Sequence, residues 1–228
     1  REFEFDFLNL KNEQVRANAG HTRERQLQLE GALLYAALMT RPDIAHVVQL
    51  LARDLQEHQL TEAHFIAAER AFRYLKKTRG FGLIYRATAN LTAPTTISDV
   101  PLTIECYSDA DFAGDHVTSH STSGFAIFVN GCLIHWQSKL QPYVVTSTTA
   151  AEYVAMSQLT HDVIWLQELL ATLGFTVVKP SAIFGDNSSE VTLAQGGANN
   201  SRLRGMRVAM HHVLDEVKQK TIEIKWIP

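Results

Sequence analysis

Apolar positions recur along this chain in two rhythms. From residue 102 to 108 they alternate, with Leu102, Ile104 and Cys106 set against Thr103, Glu105 and Tyr107. That two-residue period predicts a β-strand. Short apolar runs predict further strands at 124–129, 132–138 and 181–185, and alternation returns at 222–227. Asn130-Gly131, between the second and third strands, is a two-residue hairpin signal, so strands one to three should form an antiparallel ribbon. From 147 to 173 the rhythm becomes helical, with Val154, Leu159, Val163, Leu166, Leu169 and Leu170 lining the helix. Thr148 or Thr149 is expected to cap it and Gly174 to end it. A helix between strands one and four makes those two parallel. Two further helices are expected, one capped by Asn187 or Ser188 and running to Gln195, the other over 206–220.

The first hundred residues read differently. Residues 2–8 alternate on Phe3, Phe5 and Phe7 and predict a strand; 9–25 are polar and predict a loop. Residues 29–38 are rich in Ala and Leu and predict a helix. Pro42 opens the next helix, where its missing N–H is harmless. Ile44, Val47, Val48 and Leu51 mark the buried face. Thr61 is placed to cap a third helix to Lys77, with Phe65, Ala68, Phe72 and Leu75 as its apolar stripe. The other face of this helix carries Arg70, Arg73, Lys76 and Lys77. Such a face either meets a phosphate backbone or is simply solvated. A turn and short strand follow at 80–85, then a Thr/Ala-rich linker over 86–99. Three parts result: an extension at 1–29, a helical segment with its linker at 30–99, and a second domain at 100–228.

Composition narrows the class. Of 228 residues, 46% are hydrophobic and 20% charged, which fits one or two soluble globular domains. A net charge of −3 argues against a generally basic coat but leaves room for a local basic groove. No apolar run reaches the length of a membrane span, and the charged start, Arg1-Glu2-Phe3, is unlike a secretory signal. With no initiator Met, the chain is expected to begin inside a longer reading frame. Cys106 and Cys132 fall in predicted strands. They read as reduced thiols, with a disulfide or metal role as the alternative.

The candidate chemistry is acidic. The first strand runs into Asp109, Asp111 and Asp115, with Gly114 among them. Such a stretch is either an ordinary Asp-rich turn or a cluster whose repulsion a cation screens. Two later acids favour the cation. Glu152 lies near the start of the long helix, and Asp186 follows the fourth strand. A strand end, a helix start and a second strand end can bring three carboxylates together, and hard divalent cations want oxygen ligands.

The chain resembles the RNase H domain of copia-type retrotransposon Pol polyproteins, with the connection segment that precedes it. The matching pieces include Thr40-Arg41-Pro42-Asp43-Ile44, Arg73-Tyr74-Leu75-Lys76, Ser108-Asp109-Ala110-Asp111-Phe112-Ala113-Gly114-Asp115 and Ser121-Thr122-Ser123-Gly124. They continue with Trp136-Gln137-Ser138-Lys139-Leu140-Gln141-Pro142, Ser147-Thr148-Thr149, Ala151-Glu152-Tyr153, Ile164-Trp165-Leu166 and Asp186-Asn187. The ordered series covers residues 30–228. The resemblance implies an α/β, RNase H-like mixed five-stranded sheet with flanking helices, three strands antiparallel and two added parallel. It implies hydrolysis of the RNA strand of RNA–DNA hybrids with two Mg²⁺ or Mn²⁺ ions held by Asp109, Glu152 and Asp186. Asp111 and Asp115 then support the ligands or shape the loop, with direct metal contact as the alternative. The expected partners are the hybrid and the reverse transcriptase domain of the same polyprotein, with no membrane. The expected setting is intracellular, in cytoplasmic virus-like particles or the nucleus. Contacts to RNA 2′-hydroxyls are expected from Ser121, Ser123, Ser147 and Asn187, whose alternative is local backbone capping. Phosphate contacts are expected from Lys139 and Arg202, whose alternative is a solvated surface.

The chain also departs from that pattern. Ala150 stands where the family carries an acid, and Arg204-Gly205-Met206-Arg207 replaces Lys-His-Ile-Asp. The fourth carboxylate of such nucleases would follow the last strand, beyond Pro228. The competing reading is therefore an inactive or truncated hybrid-binding or structural module. An integrase-type nuclease fits poorly, because Glu190 follows Asp186 too closely. A serine hydrolase lacks its Gly-x-Ser-x-Gly elbow, and His211-His212 reads as helix surface rather than a zinc site.

Overall fold

The computed structural model describes residues 23–54, 62–86, 100–115, 117–186 and 207–227. The chain divides into two compact units, residues 1–83 and 84–228. The expected strand at 2–8, the cap at Thr61, most of the linker and the helix to Gln195 lie outside the described residues.

In the first unit α1 spans Arg23–Met39, a 3₁₀ turn Pro42–Ile44, α2 Ala45–Asp54 and α3 Glu62–Lys77. Helix α1 begins inside the stretch 9–25 read as a polar loop, and just beyond that stretch Gln26 and Glu30 are buried and joined by a 2.6 Å hydrogen bond one turn apart. The core is Leu33, Ala37, Ile44, Val48, Leu51, Ala67, Ala68 and Ala71, with Phe72 and Leu75 packed against it. The short strand expected at 80–85 is not formed. Its alternating residues find no ladder among the described residues, and Phe81, Ile84 and Tyr85 stay exposed.

The second unit is a five-stranded sheet in the order β3-β2-β1-β4-β5. Its strands are β1 Ile104–Asp111, β2 Thr122–Val129, β3 Cys132–Leu140, β4 Ser181–Gly185 and β5 Ile222–Trp226. β1 pairs antiparallel with β2 and β2 with β3, while β1–β4 and β4–β5 are parallel. This is the mixed five-stranded arrangement, three strands antiparallel and two added parallel, that the resemblance implies. Asn130 and Gly131 turn the hairpin at φ 49° and 75°, as a primed turn requires. Helix α4, Thr148–Thr172, and helix α5, Arg207–Lys218, make the crossovers. Tyr153, Met156, Leu159 and Val163 of α4 are fully buried against Ile104, Cys106, Ile127 and Ile183 of the sheet. Leu169, expected on the buried face, is exposed.

Two boundaries differ from the sequence reading in ways that matter for the site. β1 does not stop at Ser108; it continues to Asp111, because β2 pairs with it as far as Asp111↔Thr122. Ladder bonds outweigh the poor strand preference of aspartate there. The cap of α4 is Ser147, not Thr148 or Thr149. Its backbone is extended (φ −157°, ψ 155°) and its side chain accepts from the Ala150 N–H. Both cysteines are free; burial, with Glu105 adding to it, pushes the Cys106 thiol up to about 12.

Candidate metal centre

β1 is the central strand of the sheet, and β4 runs beside it with Tyr107 opposite Phe184. Two residues beyond each of these stand Asp109 and Asp186. Side chains alternate along a strand, so the two acids share a sheet face and lie side by side. Glu152 arrives from α4, five residues past the Ser147 cap. One ligand oxygen from each of Asp109, Glu152 and Asp186 lies within 4.8 Å of the others.

The electrostatics of the three are unequal. Asp109 and Asp186 are exposed, and Asp109 accepts the Ala110 N–H at 2.8 Å. Glu152 is only 8% exposed. Burial, then repulsion from Asp109 and Asp186, push its carboxyl up to about 8, against a weaker downward pull from the Ala110 N–H. Among the described residues no cationic side chain pairs with any of the three. A tight cluster of hard oxygen donors with no counter-charge suits a divalent cation.

The other acids of the stretch build the loop. The Asp111 carboxylate folds over Gly114, where a Cβ would stand 1.8 Å from its Oδ2. Asp115 is buried; it accepts the Val117 N–H at 3.1 Å and the Thr118 hydroxyl.

The expected hybrid contacts fall in varied places. Ser121 and Ser123 are buried. The Ser121 hydroxyl accepts the Ala113 N–H at 3.1 Å, and that of Ser123 accepts the Gln141 amide at 3.0 Å. Ser147 is half-buried and spends its hydroxyl on the cap. Lys139 is exposed on β3, opposite Ser123. Asn187 and Arg202 lie outside the described residues. The sequence reading passed over Trp226, whose indole N–H donates to the Asp186 carbonyl at 2.9 Å. With Ile227 N–H on the Gly185 carbonyl at 3.0 Å, it pins the end of β4. Its sequence signal was a tryptophan near the end of a predicted strand.

Comparison with known proteins fixes the kinship. The chain is 31% identical over 194 residues to the retrovirus-related Pol polyprotein from transposon TNT 1-94 of Nicotiana tabacum, covering 85% of this chain and 14% of that protein. It is equally identical over the same length to the Pol polyprotein from transposon RE1 of Arabidopsis thaliana, covering 12% of that protein. This chain is homologous to copia-type retrotransposon Pol polyproteins. It spans about an eighth of the length of those two relatives. The secreted RxLR effector protein 161 of Plasmopara viticola is 37% identical over 142 residues, which are 61% of this chain and 89% of that protein. No protein-family model matches. Among solved structures, LC11-RNase H1 isolated from compost aligns at TM-score 0.40 with 19% identity, over 55% of this chain and 84% of that one. RNase H1 from Halobacterium salinarum aligns at 0.36 with 19% identity, over 55% and 86%.

Two further Pol motif pieces meet in the first unit. Arg41 grips both carboxylate oxygens of Asp43 at 2.9 and 2.7 Å, and Tyr74 donates to Asp43 at 2.7 Å. Arg41 also reaches the Thr78 hydroxyl and carbonyl at 2.6 and 3.2 Å. The clasp holds the 3₁₀ turn against the end of α3. Beside it an open groove of about 790 Å³ is lined by Arg70, Arg73, Tyr74, Lys76, Lys77 and Arg79. No helix among the described residues is long and apolar enough to cross a membrane.

Proposed function

We propose that this Pol segment hydrolyses the RNA strand of RNA–DNA hybrids endonucleolytically, within a retrotransposon polyprotein and inside the cell. The observation that carries the reading is the convergence of Asp109, Glu152 and Asp186 oxygens within 4.8 Å at the centre of an RNase H-like sheet. These residues would hold two Mg²⁺ or Mn²⁺ ions. What such ions supply when held there is Lewis acidity, which makes a water nucleophilic at neutral pH and offsets charge on the departing 3′ oxygen. The chain's own part is placement. Asp109 and Asp186 present ligand oxygens from adjacent strands. Glu152 closes the set from the helix. The Trp226 indole fixes the backbone from which Asp186 projects.

Affinity for the hybrid is assigned elsewhere. The groove of Arg70, Arg73, Lys76, Lys77 and Arg79 matches the charge of a phosphate backbone, and Lys139 adds an exposed cation on β3. The reverse transcriptase domain of the same polyprotein is the partner that would generate the hybrid.

The test is cleavage of an end-labelled hybrid with and without Mg²⁺. Metal-dependent cleavage by the wild type that disappears in Asp109→Asn, with hybrid binding retained, supports the nuclease. Hybrid binding with no cleavage by either protein would replace it with a non-catalytic binding module.

A further inference from the structure

We infer that Gln141 is a positioning residue that sets the place of Glu152 in the metal centre, an assignment that rests on the nuclease reading above. Gln141 follows directly on β3 and is 1% exposed. Its Nε2 donates to the Ser123 hydroxyl on β2 at 3.0 Å and to the Ala151 carbonyl on α4 at 2.9 Å. A primary amide carries two N–H donors, and both are spent here. One is anchored on the sheet; the other holds the residue immediately before Glu152.

The anchor is itself fixed. The Gln141 main-chain N–H donates to the Ser121 carbonyl at 2.8 Å, and its carbonyl meets His120 Nδ1 at 2.8 Å. The amide oxygen, by contrast, has no partner among the described residues. An unpaired buried acceptor costs stability, so this side chain is valuable for its donors and not for its burial. Those donors counter a specific force. Ligand oxygens of Asp109, Glu152 and Asp186 lie within 4.8 Å of one another, and ionised carboxylates that close repel, which favours movement of the start of α4 away from the sheet. A hydrogen bond from the sheet side to Ala151 opposes the movement at the neighbouring residue.

The molecule contains its own control. Gln167, also buried on α4, donates from Nε2 to the Ser181 hydroxyl at 2.8 Å and to the Thr221 carbonyl at 3.1 Å, and its oxygen is likewise unpartnered. It makes the same kind of bridge fifteen residues along the helix from Glu152, where it ties α4 to the start of β4 and to the residue before β5 and not to the metal centre.

Gln141→Met and Gln167→Met each remove one bridge while keeping an unbranched side chain of similar size. Two readouts separate them: Mn²⁺ titration followed by thermal unfolding without nucleic acid, and steady-state cleavage of a hybrid. Gln141→Met is expected to raise the half-saturating Mn²⁺ concentration and lower kcat, each about 10-fold, with KM for the hybrid within about twofold. Gln167→Met is expected to lower Tm but leave the Mn²⁺ half-saturation within about twofold of wild type. If Gln141→Met does not fold, Ser123→Ala removes one of the two anchors and is expected to shift the Mn²⁺ half-saturation the same way, by about threefold. Equal Mn²⁺ half-saturation in wild type and Gln141→Met, or in wild type and Ser123→Ala where that is the variant measured, overturns the assignment alone. A wild type with neither Mn²⁺-dependent stabilisation nor cleavage overturns the nuclease reading beneath it.

Discussion

Glu152 is held in a setting that favours its protonated form. In the folded chain its carboxyl is pushed from the ordinary 4.5 up to about 8 by burial and by Asp109 and Asp186. The unfolded chain releases that proton near 4.5, so between the two values folding takes a proton up. In the absence of divalent ions, stability is therefore fully present below about 4.5 and is lost as pH rises through about 8. Glu152→Gln cannot ionise and lacks this slope. In EDTA it should be more stable than wild type at pH 8.5 and close to it at pH 4.5, with each intervening pH unit contributing at most about 1.4 kcal/mol. Millimolar Mg²⁺ should narrow the gap at pH 8.5, because only the wild type keeps all three carboxylate ligands. Urea unfolding at the two pH values, with and without Mg²⁺, checks both signs. A wild-type curve that is flat with pH in EDTA would mean that Glu152 is not repelled as the geometry requires.

At the scale of elements, α4 is the part most legible in the sequence and also where the reading slipped. Its apolar spacing gave Val154, Leu159, Val163 and Leu166 as buried, and they are. Three hydroxyl residues in a row, Ser147, Thr148 and Thr149, are all plausible caps by type. Only the backbone separates them, since Ser147 alone precedes the helix in extended conformation. Ser147→Ala should therefore cost about 1 kcal/mol, and Thr148→Ala under about 0.5 kcal/mol, in chemical denaturation. A larger loss from Thr148→Ala would place the cap where the sequence first suggested. The end of β1 was hidden for a different reason. Asp109 and Asp111 are weak strand formers, and what keeps them in the strand is the distant pairing with Gly124 and Thr122. The strand expected at 80–85 failed by the same logic, because it finds no pairing partner among the described residues. Asp109, Glu152 and Asp186 were readable because each sits beside an element end with its own local signature. The bridge from Gln141 to Ala151 was not, since ten residues of sequence carry no sign that the two meet.

For the whole molecule the telling feature is how charge is distributed between the units. The chain is slightly acidic, with 21 Lys and Arg against 24 Asp and Glu. Even so, five exposed cations gather on one groove of the first unit, while the second unit gathers the acids Asp109, Glu152 and Asp186 where two strands meet α4. A polyanionic substrate would be repelled by the carboxylates and held by the groove, so binding and chemistry are assigned to separate parts of the chain. Of the groove cations, Arg73 is already engaged by Glu69 at 3.1 Å, which leaves Arg70, Lys76 and Lys77 on α3 as the better measure. Each phosphate neutralised releases counterions and adds roughly 0.9 to the salt slope on a duplex. Arg70→Gln, Lys76→Gln and Lys77→Gln combined should therefore flatten the plot of log Kd against log salt by about 2 to 3. The kcat for hybrid cleavage at saturating substrate should stay within about twofold, because no groove residue supplies a metal ligand. Fluorescence anisotropy from 50 to 300 mM KCl gives the slope, and a parallel cleavage series gives kcat. An unchanged slope would return α3 to an ordinary solvated face. A kcat that fell with the slope would mean that the groove acts in the chemistry and not only in holding the strand.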